Sequence, residues 1–176
     1  MAWYAMFVKT GCEEKVKIRL DYRFNDEPEI FIPKRLVKER KNGIWSEKLR
    51  VLFPSYVLVR GEVTPSILMR LWDVPDVLKL LKQDSLPVAI PEAEIDIFRH
   101  LMDGSDTIGM SEAVMVGDRV EFIQGPLSDS SIRGEILSID KRKGRAIVRV
   151  HFLGEERQIS LGFDFLQKDG GESIGE

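Results

Sequence analysis

The sequence predicts a two-domain α+β protein: a ferredoxin-like α/β sandwich over residues 1–103, then a small β-barrel over residues 113–169. Three observations carry this. An apolar opening run is followed by helix-period and strand-period segments in the order β-α-β-β-α-β, with a long polar hairpin inserted. A stretch from Asp103 to Glu112, crowded with Gly104, Ser105, Asp106, Thr107 and Gly109, has no periodicity and reads as a linker at 104–112. Beyond it, short strand candidates separated by Gly, Asp, Ser and Lys turns suggest a barrel, which closes its own edges.

Each element has a local reason. Ala2 to Val8 is almost uniformly apolar, as a central strand buried on both faces must be. Cys12, Val16, Leu20 and Phe24 recur every fourth residue and mark one face of a helix, while Lys15, Lys17, Arg19 and Arg23 lie off that stripe. Glu29 to Pro33 reads as a strand. Leu36 to Arg50 reads as a hairpin turning at Lys41-Asn42-Gly43, because Asn-Gly accepts positive φ. Tyr56 to Val59 is another strand. Thr64-Pro65 starts a helix running to Trp72, the hydroxyl capping it and Pro fitting its first turn. Val77 to Leu81 and Pro87 to Ile90 are short strand candidates, and Pro91-Glu92 opens a helix through Ile95, Phe98, Leu101 and Met102. In the second domain the strand candidates are Arg119–Ile123, Ile132–Ile139, Arg145–Phe152 and Arg157–Leu161, and residues 170–176 form a flexible tail with little to bury.

Composition narrows function. Of 176 residues 43% are hydrophobic, too many for a disordered chain. A lone Cys12 with only His100 and His151 excludes a disulfide framework and a Cys/His metal cluster, so no cofactor is expected. No motif points to an enzyme. No apolar run approaches the roughly 20 residues that span a bilayer, and no leader opens the chain, which predicts a cytoplasmic protein. Although the net charge is −3, residues 34–50 hold seven basic and two acidic residues, and Lys141, Arg142, Lys143 and Arg145 crowd one turn. Such patches suit contact with polyanions; solvated turns account for the same charges.

Three stretches carry a more specific pattern. They are Trp3-Tyr4 with Val8-Lys9-Thr10-Gly11-Cys12-Glu13-Glu14-Lys15-Val16; Leu52-Phe53-Pro54-Ser55-Tyr56-Val57-Leu58-Val59; and Gly117-Asp118-Arg119-Val120-Glu121-Phe122 leading to Gly125-Pro126-Leu127 and Gly134-Glu135-Ile136. Together they resemble the NusG family of transcription elongation factors, with an N-terminal NGN domain, a linker and an SH3-like C-terminal KOW domain. Within that family the compact N-terminus and basic hairpin most resemble the specialised LoaP-type antiterminators. Ser55 stands where the family has Gly, and Leu127 where it has Phe.

The resemblance implies a monomer that rides on RNA polymerase, docking an NGN concavity on the clamp helices of the largest subunit to suppress pausing and termination. Trp3, Tyr4, Phe53, Pro54 and Tyr56 are the matching candidates for docking; core packing accounts for some of them equally. It also implies a loading signal in nucleic acid, a leader-RNA hairpin in the LoaP type. Lys9, Lys15, Arg19, Arg23 and Arg70 on the NGN side, and Lys141, Arg142, Lys143 and Arg145 on the KOW side, are the candidate contacts. The alternatives are a general elongation factor whose KOW domain recruits a ribosomal protein or termination factor, and a ribosome-associated RNA-binding module.

Overall fold

A computed structural model describes residues 1–25, 27–80, 82–83 and 86–166. The expected tail at 170–176 lies outside the described residues, as does the end of the second domain. The chain begins β1 (Trp3–Val8), α1 (Glu13–Phe24), β2 (Glu29–Phe31), β3 (Lys34–Lys41), β4 (Ile44–Val51), β5 (Tyr56–Arg60), α2 (Pro65–Trp72) and β6 (Val77–Leu80). Two short strands, β7 (Lys82–Gln83) and β8 (Leu86–Pro87), precede α3 (Glu92–Met102) and β9 (Thr107–Ile108). The C-terminal part comprises β10 (Ser111–Val116), β11 (Arg119–Gln124), a 3-10 turn at Pro126–Ser128, α4 (Ser130–Arg133), β12 (Ile136–Asp140), β13 (Arg145–Phe152) and β14 (Glu155–Phe165).

The first sheet has the antiparallel order β2-β5-β1-β6, the ferredoxin-like arrangement expected from the element order. Strand alternation divides β1 between two cores. Met6 and Val8 pack with Val16, Leu20 and Phe24 of α1 and Leu71 of α2. Trp3 and Ala5 join the other core, which contains Ile95, Phe98 and Leu101 of α3 and runs on into the C-terminal domain. The Thr64 hydroxyl accepts from the Ile67 amide, and Asn42 and Gly43 take φ of 52° and 82° at the hairpin turn, as their chemistry requires.

The C-terminal sheet is ordered β11-β10-β14-β13-β12. Its edge strands β11 and β12 line one open cleft through Val120, Phe122, Ile136 and Ile139, so the sheet curls until its edges face.

Three local readings differ from the structure. Of the strand expected over Pro87 to Ile90 only Pro87 pairs, in β8; the Ile90 amide instead donates to the Trp3 carbonyl at 2.7 Å. The start of Ile132–Ile139 is helical, because Asp129 caps α4 by accepting from the Ser131 amide; the Ser131 hydroxyl first, and this amide second, hold the Asp129 carboxyl below the usual carboxylate range. In the aperiodic stretch at 104–112, β9 pairs in parallel with β3, Ile108 is fully buried, and β10 starts at Ser111.

Candidate functional site

The aromatic site is built on the turn between β4 and β5. Ser55 holds φ of 72°, a left-handed conformation that costs a side-chain-bearing residue roughly 1 kcal/mol. Bonding offsets that cost: the Ser55 amide donates to Oε1 of the buried Glu13 at 2.7 Å, and its hydroxyl lies 2.6 Å from that of Thr10. The Ser55 carbonyl accepts from the Val8 amide at 2.8 Å, so the turn is tied to β1 as well. Pinned in this way, Phe53 and Tyr56 stand on the same side of the sheet as Trp3, which packs against Phe31 at 5.0 Å between ring centroids. Pro54 is exposed at the turn. Tyr4 does not join them: alternation sends it to the face covered by α1 and α2.

The C-terminal domain covers this aromatic face. Phe152, ending β13, stacks on Phe53 at 4.0 Å and 10°, with Tyr56 and Phe98 edge-on at 6.1 and 5.6 Å. The Arg157 guanidinium lies over the Tyr56 ring at 5.4 Å. Glu94, in the first turn of α3, accepts from the Leu153 and Gly154 amides at 2.7 and 3.1 Å. Alongside, β3 runs in the same direction as β14. Arg35 donates to the Ser160 carbonyl at 2.8 Å, Lys38 pairs with Asp164, and Arg145 donates to the Lys38 carbonyl at 3.0 Å with Glu39 3.7 Å away. The Glu39 carboxyl is held below the usual range chiefly by its bond from Arg50. Burial, then the neighbouring Arg145 charge, depresses the Arg35 guanidinium. Arg35 Nε, Arg145 Nε and Ser160 Oγ are buried at this junction without a hydrogen-bond partner among the described residues, which offsets part of the apolar gain of closure.

The expected nucleic-acid residues divide by what they touch. Arg19 bonds Asp76 and the Pro75 carbonyl, and Arg23 bonds Asp73 and the Arg70 carbonyl. Arg70 bonds the Arg23 carbonyl and lies over Phe24 at 4.4 Å. These three tie α1 to α2 and the loop after it. Lys9 and Lys15 are exposed and have no ion pair among the described residues. At the other patch Arg145 is spent on the domain junction, whereas Lys141, Arg142 and Lys143 project from the turn.

A family model described as transcription termination factor nusG matches residues 1–99, more than half of the chain. The chain belongs to the NusG family. Two curated NusG proteins, named as transcription termination/antitermination proteins, are similar over nearly all of it. That of Synechocystis is 24% identical, covering 94% of this chain and 88% of its own; that of Rickettsia felis is 28% identical, covering 95% and 90%. A solved structure described as domain interaction in Thermotoga maritima NusG shares the fold at TM-score 0.58 and 24% identity, covering 92% of this chain and 93% of its own. The chain is therefore a NusG-type transcription termination/antitermination factor with an NGN-like domain and a β-rich C-terminal domain, in a family of transcription factors rather than enzymes. No helix among the described residues is long and apolar enough to cross a membrane.

Within this NusG-type architecture, sequence reasoning missed Phe152, Glu94 and Arg157, which act across the junction. Phe152 ends a strand like any core residue, and Glu94 reads only as an acid suited to a helix first turn. Glu94 offers a direct probe of closure. Glu94→Ala removes two charge-assisted bonds and leaves two amides without their acceptor. Its expected result is a shift of the domain equilibrium toward opening by at least tenfold, read as an increased radius of gyration in small-angle scattering. An unchanged radius would show that the aromatic stack alone holds the domains.

Proposed function

We propose that this chain is a specialised antitermination factor, similar to the LoaP type, that docks on the clamp helices of RNA polymerase through Trp3, Phe53, Pro54 and Tyr56. Docking requires the KOW domain to leave first. The observation that carries this reading is the Phe53–Phe152 stack: a preorganised aromatic face of the kind that concentrates binding energy is covered by the chain's own second domain. Such a factor is silent until a signal stabilises the open state, since only a ligand with differential affinity shifts a conformational equilibrium. A leader-RNA hairpin is the proposed signal, with the unpaired Lys9 and Lys15 on the NGN side as its phosphate contacts. Leu127 is fully buried, so in the closed arrangement the Gly125-Pro126-Leu127 segment does not present this side chain to a KOW partner.

The test is terminator read-through with purified polymerase, on templates with and without the leader hairpin. Read-through should rise only with the hairpin and should fall when Lys9 and Lys15 are both replaced by Ala. Equal read-through on both templates would favour a general elongation factor.

A further inference from the structure

The NGN hairpin and the KOW turn, far apart in sequence, meet at one cleft. Trp45 on β4 lies opposite Arg40 of β3 and is 45% exposed. It borders an open cleft of about 240 Å³ with Lys38, Lys141, Arg142, Lys143, Phe163 and Phe165. The turn carrying the cations is fixed in shape. Asp140 Oδ1 accepts from the Arg142 and Lys143 amides at 3.0 Å each, Lys141 Nζ donates to the Asp118 carbonyl at 2.9 Å, and the Phe163 amide donates to the Gly144 carbonyl at 2.8 Å. Gly144 has φ of 61°, and a Cβ there would run into the Phe163 carbonyl, so no other residue lets the turn sit this close to β14. Acids answer only part of the charge. Asp164 pairs with Lys38 and Asp140 is 3.9 Å from Lys143, but Arg142 has no acidic partner among the described residues.

We infer that this cleft binds single-stranded nucleic acid across the two domains, one base stacking on the Trp45 indole and the adjoining phosphates meeting Arg142, Lys141 and Lys143. It is separate from the hairpin contacts proposed at Lys9 and Lys15: it takes up the expectation that the turn at Lys141–Arg145 meets nucleic acid, and adds the platform that the other domain supplies. An exposed indole beside a cationic turn whose Arg142 has no acidic partner among the described residues joins the two elements of sequence-tolerant single-strand binding, a stacking face and a basic track. The cleft has room for one flat base and none for a duplex. Since half of the site comes from each domain, a bound strand favours the closed arrangement, and opening dismantles the site.

The experiment measures affinity of the full chain for a short oligouridylate and the matching oligodeoxythymidylate across a salt series, with Trp fluorescence as the signal. Trp45→Ala should weaken binding about tenfold and Trp45→Phe should retain most of it, because stacking needs a ring and not an indole N–H. The fluorescence quench should vanish in Trp45→Phe although Trp3 and Trp72 remain. Lys141→Ala with Arg142→Ala should flatten the log-log salt slope by about 1.4 units. A chain shown by scattering to be opened by Glu94→Ala should bind as weakly as Trp45→Ala.

Equal affinity for the two oligomers supports recognition of base and phosphate alone; preference for RNA adds a sugar contact within the same site. Wild-type affinity in Trp45→Ala, full affinity in the opened chain, or equally tight binding of an acidic peptide would each overturn the shared site. Polymerase association of Trp45→Ala should match wild type, because Trp45 is not one of the proposed docking residues. Failure of the docking reading therefore shows in a separate assay.

Discussion

Phe152→Ala should raise association of the full chain with core RNA polymerase by one to two orders of magnitude. The substitution removes the ring that stacks on Phe53 and meets Tyr56 and Phe98 edge-on. Truncating a buried Phe costs about 3–5 kcal/mol, of which the aromatic pairs contribute roughly 0.5–1.5 kcal/mol each. Part of that cost falls inside the KOW sheet, since Phe152 ends β13, and the remainder falls on closure. About 2 kcal/mol on closure multiplies the open population roughly thirtyfold wherever the closed form predominates, and apparent affinity scales with that population. Equilibrium binding to polymerase checks the magnitude, with circular dichroism confirming that both domains stay folded. An opened chain that binds no better than wild type would show that the covered face is not the docking face.

Tyr56→Ala should reduce polymerase association about a hundredfold, the effect of truncating an interface hot spot. Tyr56 suits this test better than Phe53. Phe53 is 5% exposed and inside the aromatic core, so its loss would also destabilise the fold, whereas Tyr56 is only partly buried. The cleanest comparison places Tyr56→Ala in the Phe152→Ala background. There the domains are already apart, and any loss reports direct contact with polymerase rather than a change in closure. Wild-type association in that double variant would move the docking site off this face.

Local periodicity carried most of the fold. The run from Ala2 to Val8 and the fourfold spacing of Val16, Leu20 and Phe24 depend on neighbours a turn or a pleat away, and they place β1 and α1 correctly. Phe53 and Tyr56 came from motif resemblance, and the structure gives them one face. Tyr4 was grouped with them through its neighbour Trp3, although strand alternation parts the two. The cover over that face was not legible. Phe152 follows the same alternation as Val148 and Val150, which are equally buried, and nothing local says that it alone reaches into another domain. Trp45 was hidden for the opposite reason: a basic hairpin accounts for its surroundings without any reference to a distant turn. Likewise Arg145 matched its cationic neighbours by composition, yet its guanidinium bonds the Lys38 carbonyl.

The position of β3 against β14 also bears on how this protein survives in a crowded cell. Val37 is fully buried on the strand that runs alongside β14, and Phe53 and Tyr56 lie under Phe152 nearby. Removing the KOW domain strips these residues together and uncovers one side of a long hairpin, the kind of surface that recruits other chains into aggregates. On the proposed docking reading, the second domain would also shield a surface that has to be sticky to bind polymerase. Newly made molecules can wait without polymerase at hand, and an N-terminal fragment freed of its shield should precipitate at concentrations the whole chain tolerates.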